Sequence, residues 1–288
     1  MRQRAIEVVS ELLDGLEKQG PPADLVPSFA LPLPVIIICE LLGVPYADWG
    51  RFRQWSDLVM SAGAVSRDRA VAALEKLGRY LAGLAAQRRE APADDLISAL
   101  MHAADVEDRL TIEEAVGLSS GVLVAGYETT ANEIANFCYL LLTSPDHHRQ
   151  LRQRPEPVGP AVEEMLRYVP HRAHAAFARV ATEDVELGGV LIRAGEAVLP
   201  ALIAADRDPT AFADPDTLDF HRTDNNHLAF GYGPHHCLGA QLARMELQVA
   251  IDALLTRFPD LTLAVPASEV PWRTGMVVGG PRQLRVIW

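Results

Sequence analysis

Cysteine is scarce in this chain: three residues in 288, an odd number and widely spaced, which excludes a disulfide scaffold. Two of them sit inside apolar runs, Cys39 in "PVIIICELLG" and Cys138 in "ANFCYLLL", as expected of reduced thiols in a cytoplasmic protein. Positive charge is the minority sign, 26 basic against 38 acidic side chains for a net charge of -12, which argues against nucleic acid or an anionic membrane as a partner. Long hydrophobic runs are also missing. The longest uncharged apolar stretch, "AVGLSSGVLVAGY" from Ala115 to Tyr127, stops at Glu128 well short of a bilayer span. The N-terminus alternates charged and aliphatic residues instead of carrying the apolar core of a signal peptide. No internal repeat, low-complexity tract or linker divides the chain, so residues 1–288 are read as a single domain.

What is present is an ordinary globular composition, 49% hydrophobic and 22% charged, enough to bury a sizeable core. Ile6, Val9, Leu12, Leu13 and Leu16 lie on one face of a helix from Arg2 to about Gln19, ended by "GPP". Further helices are predicted over 26–43, 47–62, 67–89 and 94–104, separated by Pro, Gly and Asp/Ser punctuation. A long one opens at Thr111, whose spacing to Glu114 is that of a capping box, and runs to Ser144. It is apolar nearly all round, which predicts burial along its whole length. Short polar helices follow at Ser144–Pro145 and in "GPAVEEMLRYVP". From about Ala176 the texture changes to short Val/Leu/Ile runs with Gly turns, read as hairpin strands, and "LGAQLARMELQVAIDALLTRF" is a strong late helix before a tail of strands and turns. The fold class is therefore mainly α with small β-sheets.

The third cysteine stands apart. "HLAFGYGPHHCLGAQLAR", His227 to Arg244, places Cys237 between the turn-forming Gly231 and Gly233 and a helix that begins near Gly239. Helix N-termini favour anions, so a thiolate there suits metal ligation. Two other readings stand beside this one. Cys237 could be a structural cysteine at a glycine turn. It could also join His221, His227, His235 and His236 around zinc, although the paired spacings that usually build such sites are absent. A second stretch, "AGYETT", supplies Ala125, Gly126, Glu128, Thr129 and Thr130 on the long helix, where a buried glutamate needs an ion pair or a function to offset its burial. Glu164 and Arg167 in "EEMLR" form an i,i+3 pair that on its own is usually a surface contact.

The string Phe230-x-x-Gly233-x-His235-x-Cys237-x-Gly239 followed by "AQLAR" closely resembles the haem-binding loop of the cytochrome P-450 family. "AGYETT", "EEMLR" and "FADPDTLDFHR" fall in that family's order, and the resemblance extends over essentially the whole chain, closest to the soluble bacterial branch. It implies the cytochrome P-450 fold with haem b (iron protoporphyrin IX) as cofactor and Cys237 as the iron's thiolate ligand. It places Phe230 and Gly231 near the sulfur, with Gly239 closing the loop, and turns His235 and Arg179 toward haem propionates. Ala125 and Gly126 would lie on the oxygen-binding side, with Gly126 letting the helix open to admit dioxygen. Thr129 and Glu128 would handle protons there. Glu164, Arg167 and Arg222 become a structural network that holds the cysteine loop.

The implied activity is that of a haem-thiolate monooxygenase acting on a small hydrophobic organic molecule of secondary metabolism, with electrons from a ferredoxin-type donor. Substrate contacts are expected from Leu123–Ala125, from His171–Phe177 and from the helices before residue 90. One departure is visible: the family's domain begins well before the helix that opens this chain, so the resemblance implies an N-terminally truncated form that holds haem weakly and self-associates. It also leaves open a non-catalytic homologue that acts as a helper subunit.

Overall fold

The computed structural model describes residues 1–61, 65–107, 109–153, 158–170 and 178–288. Helix α1 (Arg2–Gln19) turns its aliphatic stripe inward, burying Val8, Val9, Leu13 and Leu16, and is followed by the two-residue strand β1 (Ala23–Asp24). The single helix expected over 26–43 is divided. A π-helical turn covers Val26–Ala30, closed by the Leu31 N–H donating to the Val26 carbonyl at 3.0 Å, and α2 (Pro32–Leu42) restarts behind it. Pro27, Pro32 and Pro34 have no N–H to give, so a regular α ladder cannot run through them, and Pro32 is tolerated because it opens a helix. Helix α3 (Trp49–Val59) is shorter than the expected 47–62, because a 3-10 turn over Tyr46–Asp48 takes up its first residues.

Helices α4 (Arg67–Glu90) and α5 (Leu96–Asp105) match their predicted spans closely, and the Asp95 carboxylate caps α5 by accepting the Ser98 N–H at 2.8 Å. Both halves of the capping box expected at Thr111 are formed at the start of α6 (Ile112–Leu142). After α6 come α7 (Pro145–Gln153) and α8 (Gly159–Tyr168), and then two antiparallel pairs: β2 (Arg179–Val180) with β5 (Ala197–Val198), and β3 (Val185–Leu187) with β4 (Val190–Ile192). The short α9 (Leu202–Ala205) precedes the cysteine loop, and α10 (Ala240–Arg257) follows it. Strands β6 (Thr262–Leu263) and β7 (Arg285–Ile287) complete a sheet of order β1-β7-β6, with Ala23 opposite Val286, so chain segments from the two ends meet in one ladder.

Helix α6 organises the interior. Its C-terminal half sends Ile134, Phe137, Cys138 and Leu141 into a core shared with α1, α8 and α10, and its N-terminal half sends Ala115, Leu123 and Val124 into a second core with α2, α4 and α5. Burial along the whole length is therefore not what the structure shows: Gly117, Leu118, Gly121 and Ala125 are exposed. They recur at three- and four-residue intervals and so lie on one side of the helix, a stripe against which no described element packs. No helix among the described residues is long and apolar enough to cross a membrane.

Candidate functional site

The loop before α10 is held by its own backbone. The Gly231 N–H donates to the Leu228 carbonyl at 2.8 Å, the Cys237 N–H to the Phe230 carbonyl at 2.8 Å and the His236 N–H to the Gly233 carbonyl at 2.9 Å. Gly231 and Gly233 have φ of 74° and 76°, a left-handed conformation that a side chain would strain. Of the three cysteines only Cys237 is exposed. His235 and Gly239 are exposed beside it, and Phe230 packs half-buried on the larger core. His221 contacts Gln150 at 2.8 Å and His227 contacts Glu163 at 3.0 Å. Among the described residues no three His, Cys, Asp or Glu side chains converge as a metal-binding group, so the geometry does not support the zinc reading. Arg179 occupies an exposed position on β2, and His171–Phe177 lie outside the described residues.

Under the loop the pair in "EEMLR" turns out to be buried rather than a surface contact. Glu164 Oε1 accepts from Arg167 Nη2 at 2.7 Å and from the Asp219 N–H at 2.9 Å. Its Oε2 accepts from Arg167 Nε at 2.8 Å, Arg222 Nε at 3.1 Å and Asn225 Nδ2 at 3.3 Å. Arg167 spends its remaining protons on the carbonyls of Asp206 and Pro215, both at 2.8 Å, and of Thr217 at 3.1 Å, and Arg222 donates to the Ala213 carbonyl at 2.7 Å. The network thus ties α8 to the irregular 206–225 segment. The Asp206 carboxylate then accepts the Leu228 N–H at 2.7 Å, at the start of the cysteine loop.

A second ionic group lies alongside, and the sequence reading missed it. Glu163 accepts from Arg244 Nε at 2.8 Å and from His227 Nε2 at 3.0 Å, and the Arg244 guanidinium stacks 4.4 Å from the Phe230 ring centre. The His227 tautomer follows from its other nitrogen, Nδ1, which accepts the Ala229 N–H at 3.2 Å. Burial alone would raise the Glu163 carboxyl, but the hydrogen bonds from His227 and Arg244 outweigh it and hold the group below the ordinary carboxylate range. The available signal was the doubled acid of "EEMLR", whose first member faces the loop.

On α6 the two residues of the "ET" pair point apart. The Thr129 hydroxyl donates to the Ala125 carbonyl at 2.7 Å on the open side, whereas Glu128 is 2% exposed and faces Arg273, whose Nη2 lies 3.1 Å from its Oε1 but off hydrogen-bonding alignment. Burial pushes the Glu128 carboxyl up to about 7, with Arg273 opposing the shift. Gly126 has a packing reason that the sequence does not show: a Cβ there would lie 2.7 Å from Ile38 Cδ1, so the Ile38 side chain on α2 would have to move. The helix runs unbroken through this point instead of opening at it.

Glu246, on α10, is 1% exposed with Oε2 unpartnered, and burial pushes it up to about 8. Between its ordinary value of 4.5 and 8 the folded chain keeps a proton that the unfolded chain releases, so stability falls as pH rises through that window. Each unit costs about 1.4 kcal/mol. Urea unfolding at pH 5 and pH 8 is expected to show Glu246→Gln flattening this loss, with a gain of several kcal/mol at the higher pH. Equal slopes in the two proteins would refute it.

The sequence model of the Cytochrome P450 family matches residues 66–155 and 159–273. The chain is a cytochrome P450. Along all of its length the P450 is 50% identical to mycinamicin IV hydroxylase/epoxidase of Micromonospora griseorubida, covering 72% of that protein. It is 53% identical over 287 residues to nocardicin C N-oxygenase of Nocardia uniformis subsp. tsuyamanensis, again covering 72%. The crystal structure of HinD with NMFT and NO superposes with a TM-score of 0.96 at 50% identity, covering all of this chain and 73% of HinD.

The P450 is a monooxygenase, and its cofactor is haem, iron protoporphyrin IX. The residues present fit that group. A haem of this class would be held by one thiolate, and Cys237 offers an exposed sulfur on a hydrogen-bonded loop while Cys39 and Cys138 are buried. A flat macrocycle also needs apolar surface, which the open stripe of α6 presents at Leu118 and Ala125.

Proposed function

We propose that this P450 oxygenates a small hydrophobic molecule of secondary metabolism, taking electrons from a ferredoxin-type donor, with Cys237 as the thiolate ligand. The observation that carries the reading is the Cys237 loop, whose exposed cysteine is held by backbone hydrogen bonds and whose first residues are tied through Asp206 to the Glu164–Arg167–Arg222 network. When bound, haem would supply the dioxygen activation, with one oxygen atom passing to substrate and the other leaving as water at the cost of two electrons from the donor and two protons. Arg179 and His235 bind the propionates, Phe230, Gly231 and Gly239 shape the surroundings of the sulfur, and Ala125 and Gly126 border the oxygen-binding side.

Thr129 handles protons on that side and Glu128 from the flank beside it. The proton of the Thr129 hydroxyl is committed to the Ala125 carbonyl, which leaves the oxygen lone pairs to accept a hydrogen bond from a protonated guest. Glu128, poised near neutrality, exchanges protons with solvent from the neighbouring flank. The natures of the relatives, a hydroxylase/epoxidase and an N-oxygenase, support the substrate class.

The test is turnover with a ferredoxin, its reductase and, as trial substrates, the mycinamicin IV and nocardicin C for which the two relatives are named. Thr129→Ala is expected to hold haem normally yet to divert most reducing equivalents into hydrogen peroxide, lowering product per electron pair about tenfold or more. Unchanged coupling would refute the role given to Thr129.

A further inference from the structure

Beside α6, on the flank next to the open stripe, lies a cavity of about 100 Å³. That is room for several waters. Three guanidiniums, Arg53, Arg273 and Arg282, and two carboxylates, Asp57 and Glu128, line it, with Tyr127 and Asn132 from α6 and the apolar Val26 and Leu31 from the π-helical turn. Neither oxygen of the buried Glu128 has an aligned hydrogen-bond donor, and its close polar contact is the ion pair of Oε1 with Arg273. Arg273 is shared: Nη2 lies 3.1 Å from Glu128 Oε1 and 3.6 Å from Asp57 Oδ1.

Arg273 is aimed by backbone. Residues 271–282 fold back on themselves through the Trp272–Pro281 bridge, the Arg273 N–H to the Gly280 carbonyl at 3.0 Å and the Arg282 N–H to the Pro271 carbonyl at 2.7 Å. At the far end of this finger the Val277 N–H donates to the Met60 carbonyl just beyond α3, and Ser61 bridges Met276. At its base Asn136 Nδ2 donates to the Gly279 carbonyl at 3.0 Å, and the Trp272 ring meets Tyr139 edge-on at 5.0 Å. The finger therefore braces α3 against α6 with Arg273 between them.

We propose that Arg273 is a positioning residue that controls whether Glu128 carries charge, with Asp57 on α3 competing for it across the polar cavity. The inference rests on the reading of Glu128 as a proton-handling group and adds what regulates it. A guanidinium near Glu128 favours the anion, and a carboxylate that draws the guanidinium away weakens that effect. The two partners must therefore act with opposite sign. A purely structural brace would not produce such a pattern.

The test is an infrared pH titration of the purified protein, following the protonated-carboxyl stretch that disappears in Glu128→Gln. In the wild type the midpoint is expected near 7. Arg273→Met should raise it by about one unit or more, Asp57→Asn should lower it, and Arg273→Lys should keep it close to the wild type. Midpoints that stay put in both Arg273→Met and Asp57→Asn, or that move in the same direction, would overturn the proposal. The peroxide yield of Glu128→Gln under turnover tests the underlying reading separately. Normal coupling there, with opposite midpoint shifts in the other variants, would remove the relay role and leave the charge control standing.

Discussion

Cys237→Ser protein, reduced and exposed to carbon monoxide after reconstitution with haem, is expected to lack the red-shifted band of a thiolate-ligated iron, whereas Cys39→Ser and Cys138→Ser keep it. A serine hydroxyl is a poor anionic donor, so the electron density that the thiolate supplies to iron is lost. The other two cysteines cannot substitute. Cys39 is buried on α2 and its thiol is pushed up to about 11, and Cys138 is buried in the middle of α6 and is pushed up to about 12, both chiefly by desolvation. Each stays a protonated, inaccessible thiol. Only Cys237 combines exposure with a loop that fixes its backbone through the Phe230 carbonyl. Persistence of the band in Cys237→Ser would end the assignment.

Glu164→Ala is expected to give insoluble or haem-free protein. The Glu164 side chain is 1% exposed and the Arg167 side chain 0% exposed, so removing the carboxylate leaves a buried guanidinium without its counter-charge. Breaking such a pair costs about 3–5 kcal/mol, a large share of the roughly 5–15 kcal/mol that holds a folded protein together. The loss also spreads, because the same carboxylate anchors the Asp219 N–H, Arg222 and Asn225, and through them the segment leading to Leu228 and the loop. Glu163→Ala should be milder, since that side chain is 29% exposed and its partner Arg244 is 24% exposed. Expression yield and haem content of the two variants side by side provide the check. A soluble, haem-replete and merely slow Glu164→Ala protein would point to a role in the chemistry instead.

Much of the site was legible in the sequence where the controlling chemistry is local. Thr111 and Glu114 are three residues apart, so their reciprocal capping could be read directly and the start of α6 followed. The order of glycines, His235 and Cys237 describes a turn entering a helix, and the resemblance carried by that string gave each of these residues a role. The division at Val26–Ala30 was missed because apolar periodicity continues across it while the prolines withhold their donors.

Other features depend on which surfaces the folded chain brings together. An all-apolar α6 reads as buried all round, and only the placement of α2, α4 and α5 on its other faces decides that the Leu118–Ala125 side stays open. Glu164 and Arg167 look like any surface pair until the 206–225 segment wraps over them and removes water. Asp57, Glu128 and Arg273 come from three separate regions of the chain, and no local pattern marks them as neighbours. The sequence by itself determined which groups could hold iron and where α6 begins, since donor identity, capping and turn chemistry act over a few residues. Only the tertiary structure decided which acids lose water and which cations face them, because desolvation and charge pairing depend on distance through space, not along the chain.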